Sequence, residues 1–333
     1  MSASLPPTRK PRRRRLRIAV VVIGAVALVA AFALRSPSPV GHWRSADGYD
    51  AFQDAYAEAM AEMPEPDQTL DLRTDFGMVR VYHFAGTGTD RGNSADPLML
   101  INGQGSASPA WADNMADLLT LGDVYTIDLL GHPGMSVQER PITDNADQAM
   151  WLDQALAQLP EDRFHFVGLS IGGWTATNYA TRHPEMVASL SLIDPVFTFA
   201  TISAGFMVRS IPASIPWLPK SWRNGFNSWI AGGEETEEYA VGRMIDAGQE
   251  HYATKVPAPE RISEEALSNL DVPVLAIIAG DSVVHDAQAA AQTAERTLTH
   301  GTVAFYEGAS HAVAGQEAQR VAADIDAFLS AQE

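Results

Sequence analysis

From Pro97 onward, short runs of consecutive apolar residues alternate with longer stretches whose apolar positions recur every three or four residues. The runs at 98–101, 124–127, 164–167, 187–193, 272–279 and 302–306 read as strands, and the stretches at 110–119 and 145–159 as helices. Strands that are apolar throughout, rather than at every second residue, belong to a sheet covered on both faces. Their alternation with helices predicts an α/β fold with a mostly parallel central sheet. Upstream, strand-like runs at 69–73 and 78–84 flank Asp75-Phe76-Gly77, as a hairpin would. Before them, Phe52, Tyr56 and Met60 with Ala51, Ala55 and Ala59 fall on one helical face that ends at Pro64. The interval 195–269 is too long for a structureless connection in a compact domain. It carries Trp217, Trp222 and Trp229, three of the seven tryptophans, and Trp222, Phe226, Trp229 and Ile230 repeat at helical spacing. It is expected to be an inserted helical lid, its aromatics forming a small core of their own with one or two facing a pocket.

The first 34 residues follow another pattern. Residues 9–17 carry seven positive charges, and residues 18–34 then run without any charge up to Arg35. A basic flank followed by 17 apolar residues is a membrane-targeting signal: a single-pass anchor with the bulk of the chain outside the cytoplasm, or a cleaved signal peptide with Ala31-Phe32-Ala33 as the cleavage site and a secreted product. The expected organisation is a basic N-terminus at 1–17, the membrane segment at 18–34, a linker and amphipathic helix at 35–68, an α/β core at 69–194 and 270–333, and the lid at 195–269.

Composition narrows the chemistry. The chain has 333 residues, 46% of them hydrophobic, enough for one large core with an insertion. It has no cysteine, which removes disulfides, thiol nucleophiles and zinc-thiolate sites. Past Arg35 only 15 of the 23 basic residues remain against all 41 acidic ones, a surface that repels nucleic acid.

Between the 164–167 strand and a following helical stretch lies Gly168-Leu169-Ser170-Ile171-Gly172-Gly173. A serine at the tip of a strand-to-helix turn needs small neighbours two positions away on each side, and Gly168 and Gly172 supply them. As a nucleophile Ser170 needs a base, and the base needs an orienting carboxylate. His311 is the expected base, because Glu307-Gly308-Ala309-Ser310-His311 directly follows the last strand, and ligands gather at the C-terminal edge of a parallel sheet. His285 is second choice; His132, His165 and His183 have structural explanations. Asp281, after the 272–279 strand, is the expected acid, with Asp286 and Asp194 as rivals. Backbone N–H groups of Ile171 and of Gln104, in Asn102-Gly103-Gln104-Gly105, are the expected donors to an oxyanion.

These segments resemble the α/β-hydrolase superfamily, in its lid-bearing branch of small esterases and haloperoxidase-like enzymes. The likeness covers roughly residues 69–329. It rests on Leu100 to Gly105, where such enzymes carry a His-Gly pair, on Asp128-Leu129-Leu130-Gly131-His132-Pro133-Gly134-Met135-Ser136, on the turn at Ser170, and on Gly308-Ala309-Ser310-His311. It implies the order nucleophile, acid, base met by Ser170, Asp281 and His311. The sequence departs from it twice: Asn102 replaces the histidine, and Asp281 directly follows Gly280 where the family sets its aspartate three residues on. The resemblance implies a serine hydrolase acting on a carboxylic ester or thioester, and the aromatic-rich lid a moderately apolar acyl or alcohol group. Perhydrolysis, carbon–carbon hydrolysis, small-amide cleavage or ligand binding without turnover are the alternatives. No metal-ligand cluster or dinucleotide fingerprint is evident, so no cofactor is expected.

Overall fold

The structure is a computed structural model that describes residues 38–88, 96–215 and 218–332. The expected membrane segment at 18–34 and its basic flank lie outside the described residues. Among the described residues no helix is long and apolar enough to cross a membrane.

In chain order the elements are β1 (His42–Trp43), α1 (Ala46–Met60), β2 (Gln68–Thr74), β3 (Gly77–Phe84), β4 (Leu98–Ile101), a 3₁₀ turn (Ser108–Trp111) leading into α2 (Ala112–Leu118), β5 (Val124–Ile127) and β6 (Val137–Gln138). Next come α3 (Asn145–Leu156), β7 (Phe164–Leu169), α4 (Ile171–Ala180) and β8 (Val187–Ile193). Between β8 and β10 (Val274–Ala279) stand α5 (Ala204–Ala213), α6 (Lys220–Ile230), α7 (Ala240–His251), β9 (Tyr252–Ala253) and α8 (Glu264–Ser268). The chain closes with α9 (Ala287–Thr297), β11 (Gly301–Tyr306), α10 (Val313–Gln316) and α11 (Ala318–Ser330).

The main sheet runs β11-β10-β8-β7-β4-β5-β3-β2, with β6 paired to β3. The six strands from β11 to β5 are parallel; β3 pairs antiparallel to β5, and β2 antiparallel to β3. The sheet is therefore mixed, with an antiparallel hairpin at one end. Side chains alternate between two cores: Met99, Ile101, Phe164, Phe166, Leu190 and Leu192 pack on one face, Leu98, Leu100, Val167, Ile193, Leu275 and Ile277 on the other. α1 belongs to the second core through Phe52, Tyr56 and Ala59.

The chain leaves β4 for β5 on one side, then returns to place β7 on the other side of β4. Loops that diverge from adjacent strands leave a crevice at the strands' C-terminal ends. The turn at Ser170 and the 102–108 loop lie at this point. α4, which starts there, is buried along its whole length. Its Thr175 and Thr177 hydroxyls return to the carbonyls of Ile171 and Gly173, so small polar residues enter the core without an unsatisfied donor.

Candidate active site

Ser170 follows β7 and takes the N-cap position of α4 with φ 54° and ψ −114°. A non-glycine residue in this region is strained, and surrounding contacts must hold it there. Its N–H donates to the Ile193 carbonyl (3.0 Å) and its carbonyl accepts from Val196 (3.3 Å), so the turn is pinned across the end of β8. Hydrogen bonds continue the sheet past its strands: Asp194 N–H to the Ile277 carbonyl (2.8 Å), Gly280 to Tyr306 (2.8 Å), Asp281 to Ala309 (2.9 Å). The loops after β7, β8, β10 and β11 are thereby locked side by side.

From those loops three side chains meet. The Ser170 Oγ–H donates to His311 Nε2 at 2.9 Å, and His311 Nδ1–H donates to Asp194 Oδ2 at 2.5 Å. The carboxylate accepts only, which fixes the proton on Nδ1 and leaves Nε2 to receive the serine proton. Ser170 and His311 are thus brought together; Asp281 is not with them. Its side chain is exposed and has no hydrogen bond among the described residues, while Asp286 caps α9 by accepting from the Ala289 N–H. The carboxylate beside His311 is Asp194, and the residues of the loop after β10 explain the correction. Val283 stands where the family sets its aspartate, and the loop instead presents two donors, Ser282 and His285, to a carboxylate from the neighbouring strand β8.

Asp194 is fully buried and has φ 42°. Burial pushes its carboxyl up, but hydrogen bonding and charge from His311, with help from His285 and Ser282, outweigh this and hold it below the usual carboxylate range. His285, the second-choice base, has a hydrogen bond to Asp194 rather than to Ser170. His132 is buried in its turn, and burial alone lowers it to about 4.

The 102–108 loop is braced from within and below. The Asn102 amide donates to the carbonyls of Gly103 (3.2 Å) and Ser106 (2.5 Å), so asparagine here ties the loop to itself. Gln104 is exposed at its tip. The N–H groups of Gln104 and of Ile171 have no acceptor among the described residues. At the loop's far end, Ser108 N–H and Oγ–H donate to Asp128 Oδ1 (2.8 and 2.6 Å), and Tyr56 O–H and Met135 N–H to Oδ2 (3.1 and 2.8 Å). Burial pushes the Asp128 carboxyl up, and these four donors oppose it. The part of Tyr56 was not visible in sequence, because its helix lies far upstream. Replacing Asp128 with Asn leaves one oxygen to serve donors on both sides. The expected cost is about 3 kcal/mol of stability, read by denaturant unfolding, with slower turnover as the loop loosens.

The inserted helices touch both sides of the Ser170 crevice. Gly248 on α7 lies against Pro133 and the Gly105 carbonyl, while the Gln316 amide donates to the Ala231 carbonyl at the end of α6 (3.0 Å). Phe206 packs at a tilt on Phe226 (5.4 Å between ring centres), Phe226 likewise on Trp229 (6.2 Å), and Arg209 lies 4.3 Å over Trp229. These aromatics form a cluster within the insert. Among the described residues no group of three or more histidine, aspartate or glutamate side chains is placed to hold a metal ion.

The α/β hydrolase family model matches residues 98–324, which include Ser170, Asp194, His285 and His311. The chain belongs to the alpha/beta hydrolase family. Among curated proteins this hydrolase is 23% identical over 291 residues to the uncharacterized carboxylesterase nap of Bacillus subtilis, covering 84% of this chain and 93% of that one. It is also 23% identical to the carboxylesterase YbfK of the same organism, over 84% and 93% of the two chains. Among solved structures it superposes on the naproxen esterase of Bacillus subtilis with a TM-score of 0.78 at 22% identity, over 86% of this chain and 99% of that one.

Proposed function

We propose that this α/β-hydrolase cleaves a carboxylic ester or thioester through an acyl-enzyme on Ser170. The observation that carries the reading is the hydrogen-bonded chain Ser170 Oγ, His311 Nε2, His311 Nδ1, Asp194 Oδ2, at 2.9 and 2.5 Å. Ser170 Oγ attacks the carbonyl carbon as His311 Nε2 takes its proton; Asp194, in place of the expected Asp281, holds the ring in the required tautomer and stabilises the imidazolium. The carbonyl oxygen, now an anion, is held by the backbone N–H groups of Gln104 and Ile171. His311 then gives the proton to the departing alcohol or thiol, and water, deprotonated by His311 in turn, releases the acid and restores Ser170. The carboxylesterase names of the two Bacillus subtilis relatives favour an ester over an amide or a carbon–carbon bond.

The aromatic cluster in the insert, whose helices reach the crevice loops at Gly248 and Ala231, supports a moderately apolar acyl group. The same reading tethers the enzyme to the cell membrane through residues 18–34, with the catalytic unit outside the cytoplasm, on the charge pattern of the N-terminus. Hydrolysis of p-nitrophenyl esters with uncharged short and medium acyl chains tests the proposal. The wild type is expected to turn them over, and Ser170→Ala to lose at least about 10³-fold in kcat. Retained activity in Ser170→Ala, or a preference for charged acyl groups, counts against it.

A further inference from the structure

Asp194 sits between two histidines. His285 Nε2 lies 2.9 Å from Oδ1, on the opposite carboxylate oxygen from His311. The other acceptor positions are filled by the Ala279 N–H on Oδ1 (3.1 Å) and the Ser282 Oγ–H on Oδ2 (2.7 Å). Four donors on a fully buried carboxylate satisfy it as an anion and remove its freedom to rotate.

We propose that His285 is a positioning residue for the hydrolytic reaction, a neutral second histidine whose Nε2–H clamps Asp194 so that Oδ2 stays aimed at His311. The inference rests on the proposed Ser170 mechanism and extends it to a fourth side chain. Three observations carry it. First, His285 is buried, its Nδ1 has no hydrogen-bond partner among the described residues, and its Nε2 faces a carboxylate that only accepts, so the ring carries its proton on Nε2. Second, the charged form is disfavoured: burial lowers the ring's pKa, and neighbouring His311 acts in the same direction, against Asp194 and Asp286. A neutral donor satisfies Asp194 Oδ1 without cancelling the charge that His311 needs when it becomes a cation; arginine or lysine there would cancel it. Third, the backbone that carries His285 is pinned. Ile202 bridges to His285, the Ser203 N–H donates to the Val284 carbonyl (2.7 Å), and Ser203 Oγ–H donates to the Val283 carbonyl (2.9 Å). The segment that opens the helical insert thus also holds the clamp.

The test compares His285→Leu, His285→Asn and His285→Gln in steady-state ester hydrolysis, beside wild type and Ser170→Ala. Leucine removes the donor, asparagine is too short to reach Oδ1, and glutamine places an N–H near the original Nε2. The expected result is a fall in kcat of about 10- to 100-fold for leucine and asparagine, with KM changed less than about threefold, and recovery of most of kcat by glutamine. A residue that only fills space would not separate asparagine from glutamine in kcat alone. Wild-type kcat in His285→Leu, or equal kcat in the asparagine and glutamine variants, overturns the proposal; the second comparison decides it if the leucine variant does not fold. Failure of the underlying mechanism has a different mark: a wild type without turnover, or full activity in Ser170→Ala.

Discussion

Replacing Asp194 with asparagine should lower kcat by about 10³- to 10⁴-fold, while Asp281→Asn should leave kcat within about twofold of wild type. An amide at 194 can turn either its oxygen or its NH₂ toward His311. The buried pocket offers four donors, from Ala279, Ser282, His285 and His311, and one amide oxygen cannot serve both sides. With NH₂ facing His311, Nδ1 becomes the acceptor and Nε2 carries the proton, so the ring can no longer take one from Ser170. The Asp281 side chain is exposed and has no hydrogen bond to any of these groups, and a surface substitution that breaks no such contact stays within about 0.5 kcal/mol. Steady-state kinetics on both variants, with circular dichroism to confirm folding of the first, gives the comparison. Equal loss at both positions, or loss only at Asp281, would refute the assignment of Asp194.

Gly172→Ala should cost at least about 3 kcal/mol of stability and, in the protein that still folds, about 10²-fold or more in kcat. A Cβ at this position would lie 2.0 Å from the Ile101 carbonyl oxygen, 2.6 Å from its carbon and 2.7 Å from the Asn102 carbonyl oxygen. All three are backbone atoms, so no rotamer change relieves the clash. The end of β4 and the start of α4 must separate, and with them the loop carrying Gln104 and the turn carrying Ile171. In the proposed mechanism those two N–H groups converge on one oxygen, and a displacement near 1 Å suffices to uncouple them. Gly105→Ala is a useful contrast: its nearest neighbour is Gln249 Cγ at 3.8 Å, so its cost comes from φ 76° alone, about 1 kcal/mol. Chemical denaturation and p-nitrophenyl ester kinetics on both variants check the ranking.

The contrast between Asp194 and Asp281 shows which parts of the site were legible in sequence. Ser170 announces itself locally, because strand, tight turn and helix are contiguous and the glycines on either side are there to let backbones touch. The helix after it begins directly at Ile171, since the strained Ser170 itself turns the chain into the helix. His311 was legible because the loop after the last strand of a parallel sheet has one edge to lie on. The acid was ambiguous, since β8 and β10 are adjacent and each is followed by an aspartate at or near its end. The sequence does carry the deciding hint, a valine, Val283, three residues after Gly280 where the family sets its acid. What it lacks is the direction of the donors, and Ser282 and His285 both turn toward Asp194 only once β10 is placed beside β8. The hairpin at Asp75-Phe76 and the core strands were readable from patterning, and β2 and β3 pair directly across that turn. The bond from Tyr56 to Asp128 spans 72 residues of chain and left no local trace.

The central claim, an activated serine at Ser170, is tested most directly by intact-mass measurement after treatment with a fluorophosphonate, on the wild type and on Ser170→Ala in parallel. A single adduct is expected on the wild type, mapping to the peptide that contains Ser170, and none on the variant. Labelling of the variant to the same extent, or an unmodified wild type that nonetheless hydrolyses esters, would contradict it.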